Sequence, residues 1–290
     1  MRTPSTLALL AVVSFAACSA PTADRAPERQ VRQDGADIRY LDLGASPGES
    51  TDIVVFVHGW SCDRSVWKKQ LPPPDGRRYL LVDLPGHGAS ELPERTLSVE
   101  LFARAVESVL EDAHVERAVL VGHSNGTPVI REVARRFPAR VRGLVIVDGS
   151  LRPFFDDPRA GEQFVAPMQA ADYRERVAAG FLDPMLAPMH SDADRAEVRE
   201  RMLSTPQRTM VESFRAVLDP AVWSDEPIVV PTLALMARQP AWDEAYRAYA
   251  RSLVPRLEWR DFDGVSHFLM LDDPAGFERE LAAFLASLPD

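Results

Sequence analysis

Four short β-branched runs, "DIVVFVHG" (52–59), "RYLLVDLPG" (78–86), "RAVLVGH" (117–123) and "VRGLVIVDG" (141–149), are separated by stretches with apolar residues at helical spacing. That alternation limits the fold more than any other feature, because strands joined through crossover helices pair in parallel and bury both faces of their sheet. Between the second and third runs, "LSVELFARAVESVLEDA" places Leu101, Phe102, Ala105 and Val109 on one face, with Ser98 as N-terminal cap. A second amphipathic helix, "TPVIREVARRF", follows residue 124. From about 150 to 227 the strand signal stops, and patterns such as "RAGEQFVAPMQAADYRERVAAGF" predict a helical insertion. "PTLALMA" (231–237), a helix around 241–253, "RLEWRDFDG" (256–264) and a last helix from about Pro274 to Leu288 resume the alternation. The expected architecture is α/β: a mostly parallel sheet flanked by helices, built from residues 38–150 and 228–290, with a helical cap at 151–227.

The first residues follow a different pattern. Met1-Arg2-Thr3 gives a positive start, and Leu7 to Ala17 is an apolar run too short to span a bilayer, as in an export signal. The run ends in "SFAAC", which resembles the lipobox of bacterial lipoproteins, with Phe15 where leucine is usual; ordinary cleavage after Ala20 is the alternative. Residues 1–18 are therefore expected to be a lipoprotein-type signal peptide, and the polar, Pro-containing residues 19–37 a flexible tether. The mature chain is expected to be exported and anchored to a bacterial membrane, on its periplasmic or cell-surface side, through a lipid on Cys18 alone. Cys62 is the other cysteine, so no internal disulfide is expected once Cys18 is acylated or removed. A net charge of −10 repels phosphate backbones and makes nucleic acid a poor partner.

Ser124 lies in Gly122-His123-Ser124-Asn125-Gly126, after a predicted strand and before a predicted helix. A serine turned outward on so sharp a connection needs glycine on both flanks to avoid collision, and the helix N-terminus supplies partial positive charge where an oxyanion would form. In isolation such a stretch is commonly a passive turn; the strand before it and the helix after it predict a nucleophile.

Over about residues 38–288 the sequence resembles the α/β-hydrolase family, serine hydrolase branch. "VFVHGWSCDRSVW" is similar to its HG loop, "DLPGHGAS" to its Asp-x-x-Gly-x-Gly turn, "GHSNG" to its nucleophile elbow and "GVSHFLMLDDP" to its catalytic-histidine segment. The resemblance implies an oxyanion hole made by the backbone amides of Trp60 and Asn125, the residues after the HG pair and after the nucleophile. The Trp60 indole is expected to line the pocket, Trp67 to pack beneath the loop, and Asp83, Gly86 and Gly88 to shape a turn with His87 in solvent.

A serine hydroxyl is a weak nucleophile and needs a base. Of six histidines, His58 and His123 belong to the loops just described and point away from the hydroxyl, His114 sits in a polar segment, and His190 falls in the insertion without a motif. His267 alone follows the last strand and completes the Ser-acid-His order. The acid is less plainly written. Most relatives carry it after the strand matching "TLALMA", but there the chain reads Ala237-Arg238-Gln239-Pro240. Asp243 or Glu244 a few residues on, or Asp148 at the end of "GLVIVDGS", can supply the carboxylate. Asp148 is favoured because it emerges at the catalytic edge of the sheet, as in family branches such as the haloalkane dehalogenases, whereas Asp243 fits a helix cap.

These residues point to hydrolysis of a small-molecule ester without cofactor or metal. Scattered histidines show no paired ligand spacing, and a serine at the elbow disfavours dehalogenase or epoxide hydrolase chemistry. Lactonase, amidase, carbon–carbon bond hydrolase and cofactor-free haloperoxidase activities share the same motifs, and a noncatalytic binding protein is the rival from outside enzymology. Phe154, Phe155, Phe164, Met168, Phe181, Met185, Met189 and Trp223 are expected to form the cap, mostly as its own core, leaving an apolar pocket with few basic side chains.

Overall fold

Alternate residues of the central strands feed two separate cores, which is why those strands read as unbroken apolar runs. Val55, Val57, Leu80, Val82, Leu120 and Ile146 enter one core; Val54, Phe56, Leu81, Val121, Val145 and Val147 enter the other. The computed structural model describes residues 28–44, 52–74 and 76–289, so the expected signal peptide and Cys18 lie outside the described residues. Eight strands, β1 (Glu28–Gln33), β2 (Ala36–Gly44), β3 (Asp52–Val57), β4 (Arg77–Val82), β5 (Ala118–His123), β6 (Val141–Val147), β7 (Thr232–Ala237) and β8 (Leu257–Phe262), form one sheet in the order β1-β2-β4-β3-β5-β6-β7-β8. The β1–β2 and β2–β4 pairs are antiparallel and all later pairs parallel.

Helices α1 (Val99–Asp112) and α2 (Gly126–Arg136) cover the first core. Between β6 and β7 the regular elements are helical: α3 (Pro158–Val165), α4 (Tyr173–Val177), α5 (Asp183–Leu186), α6 (Asp192–Ser204) and α7 (Gln207–Leu218), joined by short irregular helical turns. After β7, α8 (Glu244–Leu253) returns to the first core, while α9 (Leu269–Asp272) and α10 (Pro274–Ser287) pack on the second. Chain order reverses direction in the sheet between β3 and β5. In open α/β sheets ligands bind at such a reversal, beyond the carboxyl ends of the strands.

The tether expected at 19–37 is corrected for its last ten residues. Glu28–Gln33 is an edge strand, joined to β2 by a two-residue turn in which Asp34 and Gly35 have φ of 46° and 85°. Asp-Gly with both residues at positive φ matches the twist of a tight hairpin. The strand is polar because only one side of an edge is covered; Arg29 spans it to pair with Asp42 and Asp112, each at 2.9 Å.

The insertion is fastened to the core by charge as well as by apolar contact. Asp194 of α6 receives Lys68 at 2.7 Å and Lys69 at 2.6 Å. Burial works to raise this carboxyl, and the two ammonium groups overcome it, holding Asp194 at about 2. A depressed carboxylate contributes stability that is present above its unfolded value near ~4 and is lost as pH falls toward the folded value. Denaturant midpoints measured from pH 5 down to pH 2.5 are therefore expected to fall further in the parent than in Asp194→Asn, by on the order of 1–2 kcal/mol after screening of the partly exposed lysines.

Candidate active site

Ser124 leaves β5 with φ 52°. Its N–H donates to the Val147 carbonyl at 2.9 Å, and its own carbonyl accepts from Thr127 N–H at 2.9 Å. The strand ends approach so closely that side chains are excluded: a Cβ on Gly122 would lie 2.6 Å from the Gly126 carbonyl oxygen, and one on Gly126 2.6 Å from the Val57 carbonyl oxygen. A Cβ on Gly59 would stand 2.9 Å from the Ser124 Cβ. The HG loop and the elbow thus share one crevice at the sheet's reversal point. There the Trp60 and Asn125 amides have no acceptor among the described residues, and both residues line the same cavity as Ser124.

His267 enters that cavity from the loop after β8. Its Nδ1 donates to Asp148 Oδ2 at 2.6 Å, which leaves Nε2 as the basic nitrogen. The Asp148 side chain is entirely shielded from solvent; it also accepts from Trp242 Nε1 at 2.8 Å, from Ala237 N–H at 3.1 Å and from Gln239 Nε2 at 3.4 Å. A buried carboxylate is tolerated when donors surround it. Asp148 has φ 43°, a conformation that aspartate adopts more readily than most residues. Of the open alternatives, Asp243 caps α8 by accepting from Tyr246 N–H at 2.8 Å, and Glu244 pairs with Arg251 at 3.0 Å. The segment after β7 that lacks the customary carboxylate instead supplies donors to Asp148. Sequence reasoning passed over Gln239 and Trp242, and the signal available was their place directly after that strand. Trp242→Phe is expected to lower kcat about tenfold with little change in KM, since one buried charge-assisted bond is lost; steady-state kinetics on a chromogenic ester check it.

The remaining histidines sort by burial. His123 is buried behind His267, with ring centroids 4.6 Å apart and its Nε2 donating to the His267 carbonyl at 2.9 Å. Burial, together with the neighbouring imidazole, holds it well below the ordinary histidine range, so it is neutral beside His267. His58 donates from Nδ1 to the Gly59 carbonyl at 2.8 Å and accepts at Nε2 from Leu84 N–H at 3.0 Å, bracing the HG loop. His87, expected in solvent, is buried: it packs on His58 and Phe102, and desolvation lowers it to about 3. The turn around it closes tightly, since Asp83 accepts from Arg64 N–H at 2.8 Å and Ala89 N–H at 2.9 Å. His114 is exposed, and His190 rests on the Gly264 carbonyl at 2.7 Å.

Ser124, Asp148 and His267 open into a cavity of about 760 Å³. Phe154, Phe155, Phe164, Phe181 and Met185 line it, so more of the insertion's aromatic set faces the cavity than expected, while Met168 and Met189 are buried in the second core and Trp223 packs on the first. Trp60 lines the wall too, its indole donating to the Met210 carbonyl of α7 at 2.8 Å.

Fold and site together define a hydrolase. Residues 54–280 match the alpha/beta hydrolase family, and the chain belongs to it. It is 26% identical over 282 residues to the sn-1-specific diacylglycerol lipase ABHD11 of Mus musculus, covering 89% of this chain and 90% of that one. The non-heme chloroperoxidase of Streptomyces lividans is 36% identical over 117 residues, 39% of this chain and 41% of that one. Among solved structures, the esterase RhEst1 from Rhodococcus sp. ECU1013 superposes with a TM-score of 0.75 at 26% identity, over 90% of this chain and 99% of that one.

Proposed function

We propose that the protein is a serine hydrolase that cleaves a carboxylic ester, or a related acyl compound, of a small to medium apolar substrate through an acyl-enzyme. The 2.6 Å bond from His267 Nδ1 to a shielded Asp148, in the cavity that Ser124 also lines, carries this reading. Ser124 Oγ attacks the carbonyl carbon as His267 Nε2 takes its proton, and the resulting oxyanion receives the Trp60 and Asn125 amides. Collapse expels the alcohol, which takes the proton back from His267. Water then attacks the acyl-enzyme by the same route and releases the acid. Asp148 stabilises the imidazolium formed in each half, and neutral His123 adds no opposing charge beside it. The esterase and lipase among the similar proteins agree with this chemistry.

The test is a series of p-nitrophenyl esters of graded acyl length. Hydrolysis is expected, with kcat/KM rising while the chain fills the apolar wall and falling once it outgrows the cavity; no hydrolysis of any member would sink the reading. For the N-terminus we propose export and lipid anchoring through Cys18. Incorporation of labelled fatty acid is expected in cells expressing the parent and not in those expressing Cys18→Ser, and equal labelling would overturn the anchor.

A further inference from the structure

The chain has 43 acidic residues, yet among the described residues its cavity wall carries Asp148 as the one carboxylate and two guanidinium groups, Arg152 and Arg238. Asp148 is engaged by His267, and Arg238 is neutralised by Asp263 and by Asp261 at 3.5 Å. Arg152 differs. Among the described residues no carboxylate lies within ion-pair reach of it, and its guanidinium rests on the face of Tyr246, 5.2 Å from the ring centroid.

That position is built into the loop that follows Asp148. Ser150 Oγ accepts from Arg152 N–H at 3.2 Å and donates to the Arg152 carbonyl at 2.7 Å. Tyr246 is buried, and its hydroxyl accepts from Leu151 N–H at 2.8 Å. The aromatic plate beneath the guanidinium is therefore fixed. A stacked guanidinium keeps its in-plane N–H edge free, the geometry that meets a carboxylate or phosphate with two parallel bonds. The apolar insertion wall fits one arm of a substrate, and an unpaired cation at the mouth fits a second arm of opposite charge.

We propose that the preferred ester carries an anion, a carboxylate or a phosphate group, on the arm that reaches the cavity mouth, and that Arg152 binds it while the apolar arm lies beneath Phe164 and Phe181. This rests on the ester-hydrolase reading above and names its substrate class. Because Arg152 is solvent-exposed, the attraction is screened and weakens as salt rises.

Four esters of similar size separate the possibilities: neutral phenyl butyrate, 4-carboxyphenyl butyrate, the butyrate of 4-hydroxyphenyl phosphate, and the phenyl monoester of glutaric acid. The quantity read is the kcat/KM of each anionic ester relative to the neutral one, compared between parent and variant so that leaving-group chemistry cancels. For at least one anionic ester this ratio is expected to fall about tenfold in Arg152→Gln, mostly through KM, with partial retention in Arg152→Lys and a decline with salt in the parent. The responding ester identifies which arm bears the charge and whether it is carboxylate or phosphate. Ratios that are the same in parent and Arg152→Gln for all three overturn this inference alone. Failure of the parent to hydrolyse any of the four overturns the ester reading and the inference together.

Discussion

Ser124→Ala is expected to lower kcat for ester hydrolysis by about 10⁴- to 10⁶-fold, with KM changed little and the fold intact. The hydroxyl is the one atom removed. Serine and alanine bear a similar backbone strain at φ 52°, and the hydrogen bonds from Ser124 N–H and to its carbonyl do not involve the side chain. The Trp60 and Asn125 amides stay in place, so residual turnover above the uncatalysed rate is expected from water attacking a carbonyl held in the oxyanion site. Circular dichroism separates loss of chemistry from loss of fold. A variant retaining more than a tenth of the parent rate would remove the nucleophile assignment.

Asp148→Asn is expected to lower kcat by about 10⁴-fold, while Asp243→Asn stays within about twofold of the parent. The asymmetry follows from what each carboxylate touches. Asp148 is shielded from solvent and takes its shortest bond, 2.6 Å, from His267 Nδ1. An asparagine there retains one acceptor oxygen for Trp242 and the Ala237 amide, but its amide group presents donors to the imidazole, favours the wrong tautomer and offers no charge to the imidazolium. Asp243 accepts from Tyr246 N–H as a helix cap, a task that asparagine performs about as well. Loss of activity in the second variant and not the first would reverse the assignment.

Strands β3 to β7 were legible because burial on both faces leaves runs such as "VVFV" and "AVLVGH" with little polarity; β8, half-exposed at the far edge of the sheet, was legible from its place in the strand-helix alternation. The elbow was legible because steric exclusion writes glycine at 122 and 126, where no other residue fits between β3, β5 and α2. Edge strand β1 was not, since a half-solvated "ERQVRQ" reads as tether; the neglected signal was the Asp34-Gly35 pair, a hairpin turn written in two residues. The acid stayed open between Asp148, favoured at the end of β6, and Asp243, read as a helix cap, because only the fold brings the end of β6 against the loop after β8. His87 was misread for a related reason: a short glycine-rich turn looks solvated until the surrounding packing closes over it. Arg152 carries no motif, and its isolation from every described carboxylate is a property of three-dimensional placement.

Reaction of the purified parent with a fluorophosphonate, read by mass spectrometry of the intact chain and of its peptides, tests the central claim most directly. The proposed triad predicts a single adduct on Ser124, formed quickly in the parent and slowed at least ~10³-fold in His267→Ala, because the hydroxyl is made nucleophilic by that imidazole. An unmodified residue 124, or one modified equally fast without the imidazole, would contradict it.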